Sequence, residues 1–530
     1  MASWGDGYVT DVPYVSGYHA ETVPIWMSTA ATLLGYAVPG LTHPFRYLDL
    51  GCGRGVTALV IAATTPHADV WAVDFNPAHV GSGRDIARRV GLSNIHFVEA
   101  SFDDLIHNPP KGLTEVDYLT AHGVVSWISL ENRRHLFSAI GRFLSPGGIA
   151  QVSYNVPTGW AGMRPIRKLM RLLADASPKR TDLALADIFK LLEDMKSAGA
   201  KMFQDHPTLG ERVTRLRTAD VQYVSHELLN RDWHPVMFPE VAAAMADIKC
   251  DYIGSAGLQD NFGGFTVPAG MAELFGQIHD TTLREAMRDI AGATQFRRDL
   301  YQRGPRRMSS AEHRARLDAM RFVRTFRPVA DPFVVQCPLG PLNVDPVRFL
   351  ALLEFLKTGP ATMGQLRARF IESAEAGLEE VVALLVGSGY LAPAATETPD
   401  DAAKQAAARL NEVHAVLFEQ GYAQPYLAYP ALGGAWQADG VEILALDELR
   451  RGRPAEESSL AYAVLHRITS GGRNLYLNAT TLPDPAAVME IITGKIRELL
   501  AHLPAMRGLG LIDSPETLTE SVSRPESERP

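Results

Sequence analysis

The chain has 530 residues, of which 46% are hydrophobic and 21% are charged, a composition typical of globular proteins. Its length is too great for one hydrophobic core and predicts roughly two to four domains. The net charge of −9 gives no electrostatic reason to expect a nucleic-acid partner. The three cysteines, Cys52, Cys250 and Cys337, lie far apart and favour reduced thiols over a disulfide framework.

The N-terminus has no basic region followed by an apolar core, so the sequence predicts no signal peptide. The most apolar early stretch, residues 24–38, is short for a membrane span and contains Ser28, Thr29 and Thr32. We therefore expect a soluble, cytoplasmic protein without a membrane span.

Residues 1–44 form an aromatic-rich segment followed by a predicted helix around Val23 to Leu34. The aromatic residues of this segment are Trp4, Tyr8, Tyr14 and Tyr18. Two interpretations stay open: the segment folds over a site and supplies side chains to it, or its tyrosines pack it onto the next domain.

The stretch from Phe45 to Asn76 carries the strongest functional pattern. Phe45 to Leu50 is a short apolar run typical of a strand buried on both faces. Three alternate glycines follow, and a helix over Val56 to Thr64 then begins with free N–H groups. The next strand, Val70 to Val73, ends at Asp74, which is placed to accept hydrogen bonds from ribose hydroxyls. The pattern predicts a nucleoside site.

The spacing of this loop is Asp49-x-Gly51-x-Gly53-x-Gly55, which differs from the G-x-G-x-x-G of dinucleotide sites and lacks the Gly-Lys-Ser/Thr of a Walker loop. It resembles motif I of class I S-adenosylmethionine (SAM)-dependent methyltransferases. The resemblance implies that the glycine loop lies under the methionine moiety, with Asp49 near its ammonium group and Asp74 at the ribose.

Strands and helices alternate after this loop, as a parallel sheet requires. The alternation predicts a Rossmann-like, doubly wound α/β domain over residues 45–160. Its further predicted elements are a helix over Pro77 to Val90, strands Ile95 to Val98 and Val116 to Ala121, a helix over Leu130 to Leu144 and a strand over Ile149 to Asn155.

Two strand ends carry further candidate site residues. After the third strand stands Ser101, where the family often has an acid that meets the adenine amino group. After the fourth strand come His122 and Trp127, which the resemblance places near the transferable methyl group; the alternative is a buried histidine and a packing tryptophan. The resemblance implies a cofactor site made of Asp49, Gly51, Cys52, Gly53, Gly55, Asp74, Phe75, Asn76, Ser101, Phe102, His122 and Gly123.

Residues 161–330 are predicted to hold a helical insertion, and the family resemblance given below implies a regulatory or dimerisation region there. A strand over Asp251 to Ser255 is expected to extend the sheet. His226-Glu227 resembles the start of a zinc helix, but Asn230 stands where the second histidine is needed, which excludes that metalloprotease site. We expect no metal. The dense arginines of residues 281–327 favour a solvated helical face over a binding patch.

Residues 331–395 end in a helix and a short strand, a pattern typical of winged-helix modules. Their acidic residues outnumber the basic ones, which disfavours DNA binding. Residues 396–512 are predicted as an α+β domain with a helix over Ala402 to Glu419 and a strand over Val441 to Leu446. Residues 513–530 are rich in Pro, Ser and Glu and are expected to be a disordered tail.

Five stretches together resemble one family: the Tyr14…Tyr18 segment, LDLGCGRG, AHGVVSW, SYNVPTGW and YVSHELLNRDWHPV. It comprises bacterial class I methyltransferases that carry a methyltransferase regulatory domain, and it includes protein lysine methyltransferases acting on outer-membrane proteins. The resemblance extends to about residue 390 and implies a homodimer.

Methyl transfer to lysine needs a neutral amine, which at pH 7 costs roughly 4.6 kcal/mol for a group of pKa about 10.4, and a dry pocket offsets part of that cost. The candidate catalytic wall is Tyr14, Tyr18, His122, Trp127, Tyr154 and Asn155. Three hypotheses follow. They are a SAM-dependent protein lysine N-methyltransferase, a small-molecule methyltransferase with regulatory or dimerisation domains, and a catalytically silent SAM-binding scaffold, for which Ser101 is the argument.

Overall fold

The computed structural model describes most of the chain. The described residues are 8–9, 11–12, 17–329, 331–370, 377–395, 398–421, 426–470, 476–477, 480–481, 485–508 and 510–512. In this described part, every helix is too short or too polar to cross a lipid bilayer. The predicted tail, residues 513–530, lies outside it.

A seven-stranded sheet forms the centre of the first half. Its strands are β1 (Phe45–Leu50), β2 (Ala68–Asp74), β3 (Ile95–Glu99), β4 (Val116–Ala121), β5 (Leu144–Asn155), β6 (Cys250–Ser255) and β7 (Phe296–Arg303). The spatial order is β3-β2-β1-β4-β5-β7-β6. The first five strands are parallel, and β7 runs antiparallel between β5 and β6. The predicted α/β doubly wound fold is confirmed, and so is the sixth strand.

Helices cover both faces of the parallel strands. They are α1 (Pro24–Leu33), α2 (Val56–Thr64), α3 (Pro77–Val90), α4 (Phe102–His107) and α5 (Leu130–Phe143). Leu50 of β1 pairs with Val73 of β2, so Asp49 and Asp74 lie at the same edge of the sheet. This edge holds the carboxyl ends of the strands, where α/β folds place their ligands.

A helical insertion follows β5, as the sequence predicts. Its helices are α6 (Pro157–Trp160), α7 (Met163–Ala176), α8 (Thr181–Ser197), α9 (Lys201–Asp205), α10 (Pro207–Arg217) and α11 (Val221–Leu229). They bury a core of their own, which also takes in Val9 and Val12 of the N-terminal segment. Because α11 packs against α7 and α8, the bundle carries α11 back to the carboxyl edge of the sheet.

The chain then returns to the sheet through α12 (Phe238–Asp247), which precedes β6. Helices α13 (Gly263–Thr266), α14 (Ala272–Gly276) and α15 (Thr281–Ala291) connect β6 to β7, and α16 (Ser310–Ala319) follows β7. The predicted solvated arginine face is wrong for Arg297, which is buried in β7. Its guanidinium pairs with Glu285 at 3.0 Å, Asp289 at 2.8 Å and Asp299 at 3.0 Å. These ion pairs with three buried carboxylates offset the cost of burying the arginine. A charged segment can therefore form β7 in the interior of the sheet.

A second, three-stranded sheet has the order β11-β8-β12. Its elements and those beside it are β8 (Arg321–Arg324), β9 (Val334–Cys337), β10 (Gly340–Asn343), α17 (Pro346–Phe355), β11 (Ala361–Thr362), α18 (Met363–Phe370), α19 (Leu378–Gly387) and β12 (Leu391–Ala394). The central strand of this sheet, β8, precedes residue 331, which is the first residue of the predicted winged-helix module. The sheet therefore begins earlier in the chain than that module.

The C-terminal region comprises α20 (Asp401–Glu419), β13 (Tyr426–Tyr429), β14 (Gly434–Gln437), α21 (Gly440–Arg450), α22 (Glu457–Ser470), β15 (Tyr476–Leu477), β16 (Thr480–Thr481) and α23 (Pro485–Gly508). Helix α20 packs on α2 and α3. The predicted strand Val441 to Leu446 is wrong, because these residues belong to α21. Asp439 caps that helix by accepting from the Val441 and Glu442 N–H groups.

Candidate active site

The loop between β1 and α2 has the backbone conformation that glycine favours. Gly51, Gly53 and Gly55 have φ angles of 76°, 56° and 70°. A Cβ on Gly51 would lie 2.6 Å from Val124 Cγ2, and one on Gly55 would lie 2.3 Å from Phe97 Cε1. The loop therefore requires glycine at the first and third positions for close packing as well as for conformation.

Two acids hold the ends of β1 and β2 around this loop. Asp74 Oδ2 accepts from the Gly53 N–H at 2.8 Å, and Asp74 Oδ1 accepts from the Asn76 N–H at 2.9 Å. Asp49 Oδ1 accepts from Thr120 Oγ1 at 2.9 Å. Burial raises the pKa of Asp49 to about 7, with nearby Asp74 acting in the same direction against the hydrogen bond from Thr120.

Two adjoining cavities open at the loop. Cavity A, of about 120 Å³, lies beside Asp74, Phe75, Phe102, Val124 and Ile128. Cavity B, of about 340 Å³, lies beside His19, Glu21, Arg54, Phe296 and Arg298. Both cavities are lined by a common boundary of Gly51, Gly53, His122, Gly123, Trp127, Tyr223 and Glu227. A ligand that lies across the loop would fill parts of both.

The wall of cavity B contains two histidines, a glutamate and an arginine in contact. Arg298 Nε lies 2.8 Å from Glu21 Oε1, and the rings of His19 and His122 have centroids 3.9 Å apart. Burial acts to raise the pKa of Glu21, but Arg298 and the two histidines lower it to about 2. Desolvation lowers the pKa of His122 to about 3, with His19 adding to the effect, and it also lowers the pKa of His19.

One ligand atom from each of His19, Glu21 and His122 lies within 4.8 Å of the others. Two neutral imidazoles and a carboxylate are donors that suit a transition metal. Arg298, however, already holds one carboxylate oxygen of Glu21. The guanidinium supplies the positive charge that a metal ion would bring, so the cluster is balanced without one.

Helix α11 brings residues from the helical insertion to the common boundary of the cavities. Asp220 caps this helix by accepting from the Gln222 and Tyr223 N–H groups. Its Tyr223 and Glu227 line both cavities. Burial raises the pKa of Glu227 to about 7, and the attraction of Arg167 and Arg212 opposes this rise only in part.

The chain matches two family models in the regions that build this site. Residues 48–150 match a methyltransferase domain, and residues 220–303 match a predicted methyltransferase regulatory domain. The fold is similar to that of PKMT2 from Rickettsia typhi, which has also been solved in complex with AdoHcy. The TM-score is 0.66 at 20% identity, with 94% of this chain and 99% of that chain covered. The chain is a class I methyltransferase that uses SAM.

Two curated relatives show how far this similarity extends. The methyltransferase is 29% identical over 510 residues to the uncharacterized protein sll1526 of Synechocystis, covering 94% of this chain and 99% of that one. It is 33% identical over 157 residues to the trans-aconitate 2-methyltransferase of Methylobacterium nodulans, covering 30% of this chain and 54% of that enzyme. The first match spans the accessory regions and the second does not.

The glycine loop of the methyltransferase leaves room for the cofactor. Gly53 lines both cavities, and a Cβ at this position would meet no atom within 4 Å. A ligand can therefore approach the backbone closely at the point where the two cavities join.

Most predicted cofactor residues do lie around the cavities. Those that line cavity A, cavity B or both are Asp49, Gly51, Cys52, Gly53, Asp74, Phe75, Phe102, His122 and Gly123. Three others have local structural roles: Gly55 precedes α2, Asn76 caps α3, and Ser101 caps α4 through its bonds with Asp104. Neither cavity is lined by these three.

The predicted catalytic wall is only partly assembled. His122, Trp127 and Asn155 line cavity B, whereas Tyr14 lies outside the described residues. Tyr18 is not part of this wall: its hydroxyl accepts from the Ala435 N–H at 2.9 Å and its ring stacks on Tyr426. Tyr154 is also not part of it, because its hydroxyl is buried and donates to Asp299 at 2.5 Å. Both tyrosine hydroxyls therefore form hydrogen bonds between separate parts of the fold instead of lining cavity B.

Among the residues that line cavity B without having been predicted as site residues are His19, Glu21, Tyr223, Glu227 and Arg298. They come from the N-terminal segment, α11 and β7, far apart in the chain. The His226-Glu227 pair is the one local signal among them in the sequence, and its pattern indicates a metal motif rather than a cavity wall.

Proposed function

We propose that this methyltransferase transfers methyl groups to the ε-amine of lysine in a protein. The observation that carries the proposal is the carboxylate of Glu227 in cavity B, whose other charged lining residues are Glu21, Asp49, Arg54 and Arg298. Of the two glutamates, within the described structure only Glu21 has a guanidinium within 4 Å, while Arg167 and Arg212 act on Glu227 from farther away. A carboxylate without a close ion-pair partner attracts a cation such as a lysine ammonium group.

The accessory regions support a protein acceptor. The likeness to PKMT2 extends over 94% of this chain, well beyond the methyltransferase domain. The sequence also resembles the lysine methyltransferases that act on outer-membrane proteins. A large body around the cavities offers surface on which a protein substrate can be held.

The cofactor would occupy the glycine loop and the adjoining cavity A. We assign Gly51 and Gly53 to backbone contacts with it, Asp74 to the ribose hydroxyls, and Phe75 and Phe102 to the walls of the adenine site. When bound, SAM supplies the methyl group as an electrophile on its sulfonium. The chain positions the acceptor in line, excludes water and keeps the nucleophile neutral; His122 and Trp127 at the boundary of the cavities would face the acceptor.

A small-molecule acceptor is the second candidate, and Arg298 favours it. This guanidinium lines cavity B and would attract a carboxylate substrate, as in an enzyme that methylates trans-aconitate. Its pairing with Glu21 makes it a weaker site for an anion than Glu227 is for a cation. A homodimer stays a proposal from the sequence resemblance, and a cytoplasmic location stays a proposal from the N-terminal sequence and the separated cysteines. Light scattering on the purified protein tests the homodimer.

Purified protein, radiolabelled SAM and desalted lysate of the source cells test the proposed function. The acid-insoluble fraction is hydrolysed and its amino acids are separated. Label in methylated lysine is expected. Label in a low-molecular-mass product with none in protein would establish the second candidate instead.

A further inference from the structure

The regulatory domain places one helix in the active site. Helix α11, the last helix of the insertion and within the matched range 220–303, lines both cavities with Tyr223 and Glu227. Two contacts fix the end of this helix to the N-terminal segment: Asn230 Oδ1 accepts from the Val9 N–H at 2.8 Å, and His226 Nε2 lies 3.0 Å from the Val12 carbonyl oxygen. Glu227 is thus held at the common boundary of cavities A and B.

The carboxylate of Glu227 has no hydrogen bond and no ion pair within 4 Å among the described residues. The two arginines that attract Glu227 have other partners. Arg167 donates to the Asn230 carbonyl at 2.6 Å and lies 4.5 Å from the Trp233 ring centroid. Arg212 donates to the Gly159 carbonyl at 2.9 Å and lies 4.3 Å from the Trp160 ring centroid. They attract Glu227 without saturating its oxygens.

We propose that Glu227 receives the ammonium group of the acceptor and takes one of its protons before methyl transfer. This assignment rests on the proposed lysine acceptor. It makes the so-called regulatory domain a contributor to catalysis, because a residue of that domain contacts the reacting nitrogen.

The proton and electron pairs balance in this step. The ammonium N–H bond breaks, its proton goes to a Glu227 Oε, and the carboxylate becomes a carboxylic acid. The freed nitrogen pair forms the N–C bond, while the pair of the C–S bond stays on sulfur. Glu227 then releases its proton to solvent, and the methylated amine leaves as a cation.

The charged and titratable groups facing Glu227 determine how it titrates. Arg167 of α7 and Arg212 of α10 oppose the rise of its pKa, and Tyr223 lies on the same helix. The other acids, histidines and arginines that line the two cavities with it are Glu21, Asp49, Asp74, His19, His79, His122, His226, Arg54 and Arg298. Burial acts first and the arginines oppose it, which leaves the pKa of Glu227 raised to about 7. A carboxylate must be ionised to accept a proton, so the rate should rise as pH rises through about 7. A base with this pKa operates near neutral pH.

The test measures the initial rate of methyl-lysine formation from labelled SAM and source-cell protein between pH 6 and 10. Glu227→Gln should lower the rate at pH 7.5 by about 10²-fold or more. Its rate should then climb roughly tenfold per pH unit toward the lysine pKa of about 10.4, because only the rare neutral amine reacts. Calorimetric SAM binding, measured beside the rate because Glu227 also lines cavity A, should fall far less than the rate does. All readouts of Glu211→Gln, an exposed glutamate on α10, should be unchanged.

Glu227→Asp provides the second variant. It keeps a carboxylate at the cavity, so it should retain the rise through neutral pH at a lower rate. If the wild type labels lysine and Glu227→Gln has the same rate and a parallel pH profile, the role of Glu227 is overturned while the proposed function stands. Identical profiles of the Asp and Gln variants would overturn that role as well. A wild type that labels no lysine would instead remove the proposed function on which the role rests.

Discussion

The carboxylate of Asp74 accepts a hydrogen bond from the Gly53 N–H across 2.8 Å. This bond ties the end of β2 to the middle of the glycine loop, so the acid that the sequence assigned to the ribose also shapes the loop. The same carboxylate accepts from the Asn76 N–H and thereby fixes the start of α3. One side chain therefore organises both edges of the proposed cofactor site.

Asp74→Ala should weaken SAM binding by about 10- to 100-fold. Each lost hydrogen bond to this charged group contributes roughly 1.5–3 kcal/mol, and about 1.4 kcal/mol corresponds to a tenfold change in affinity. Titration calorimetry with SAM measures the effect, and Asp85→Ala on the exposed face of α3 is the control. Equal affinity in wild type and Asp74→Ala would contradict the assignment.

Gly53→Arg should abolish SAM binding while the fold persists, because the side chain would enter the space that both cavities share. The positive φ of 56° adds strain of about 1–2 kcal/mol. Gly91→Arg is the matched control: Gly91 has a φ of 75° and open space around its Cβ, but it ends α3 away from the cavities. Loss of binding in both variants would show that strain, rather than filling of the site, is responsible.

Arg297→Met should lower the stability of the central sheet by about 3–5 kcal/mol, since it leaves buried carboxylates without their partner. Glu285, Asp289 and Asp299 all pair with this arginine. The midpoint of chemical denaturation measures the loss. Arg316→Met, at an exposed position of α16, should leave the midpoint in place; a similar midpoint in both variants would mean that the cluster does not stabilise the sheet.

Tyr18→Phe should change stability more than turnover. The substitution removes the acceptor of the Ala435 N–H, a loss of roughly 1 kcal/mol, while the rate of methyl transfer should stay within a few-fold of wild type. Thermal unfolding and the labelled-SAM assay separate the two effects, with Tyr462→Phe at an exposed position as control. A large fall in rate at unchanged thermal stability would return Tyr18 to the catalytic wall.

Local patterns predicted the parallel part of the sheet, because each strand from Phe45 to Asn155 is a short apolar run between turn residues. They failed where long-range contacts decide the structure. Arg297 lies in a strand because Glu285 and Asp289 neutralise it. Val441 to Leu446 is a short, mostly apolar run like many strands, yet the Asp439 and Glu442 capping pair begins a helix there.

The candidate site was predictable to the extent that it follows strand ends. Asp49, Asp74 and His122 were found in this way, because parallel strands end at one edge. Glu21 and Glu227 reach the cavity from the N-terminal segment and from α11. These segments are distant in the chain, so no local sequence pattern predicts that they line one cavity. The hydroxyls of Tyr18 and Tyr154 form hydrogen bonds with Ala435 and Asp299, which are distant in the chain. The sequence gives no sign of these partners.

The chemical identity of the acceptor decides between the two proposed functions. The direct measurement is amino-acid analysis of source-cell protein after incubation with the purified methyltransferase and SAM labelled in its methyl group, with the Gly53→Arg variant in parallel. We predict label in methyl-lysine with the wild type and none with the variant. Label confined to small molecules, with protein lysine unlabelled, would contradict the account.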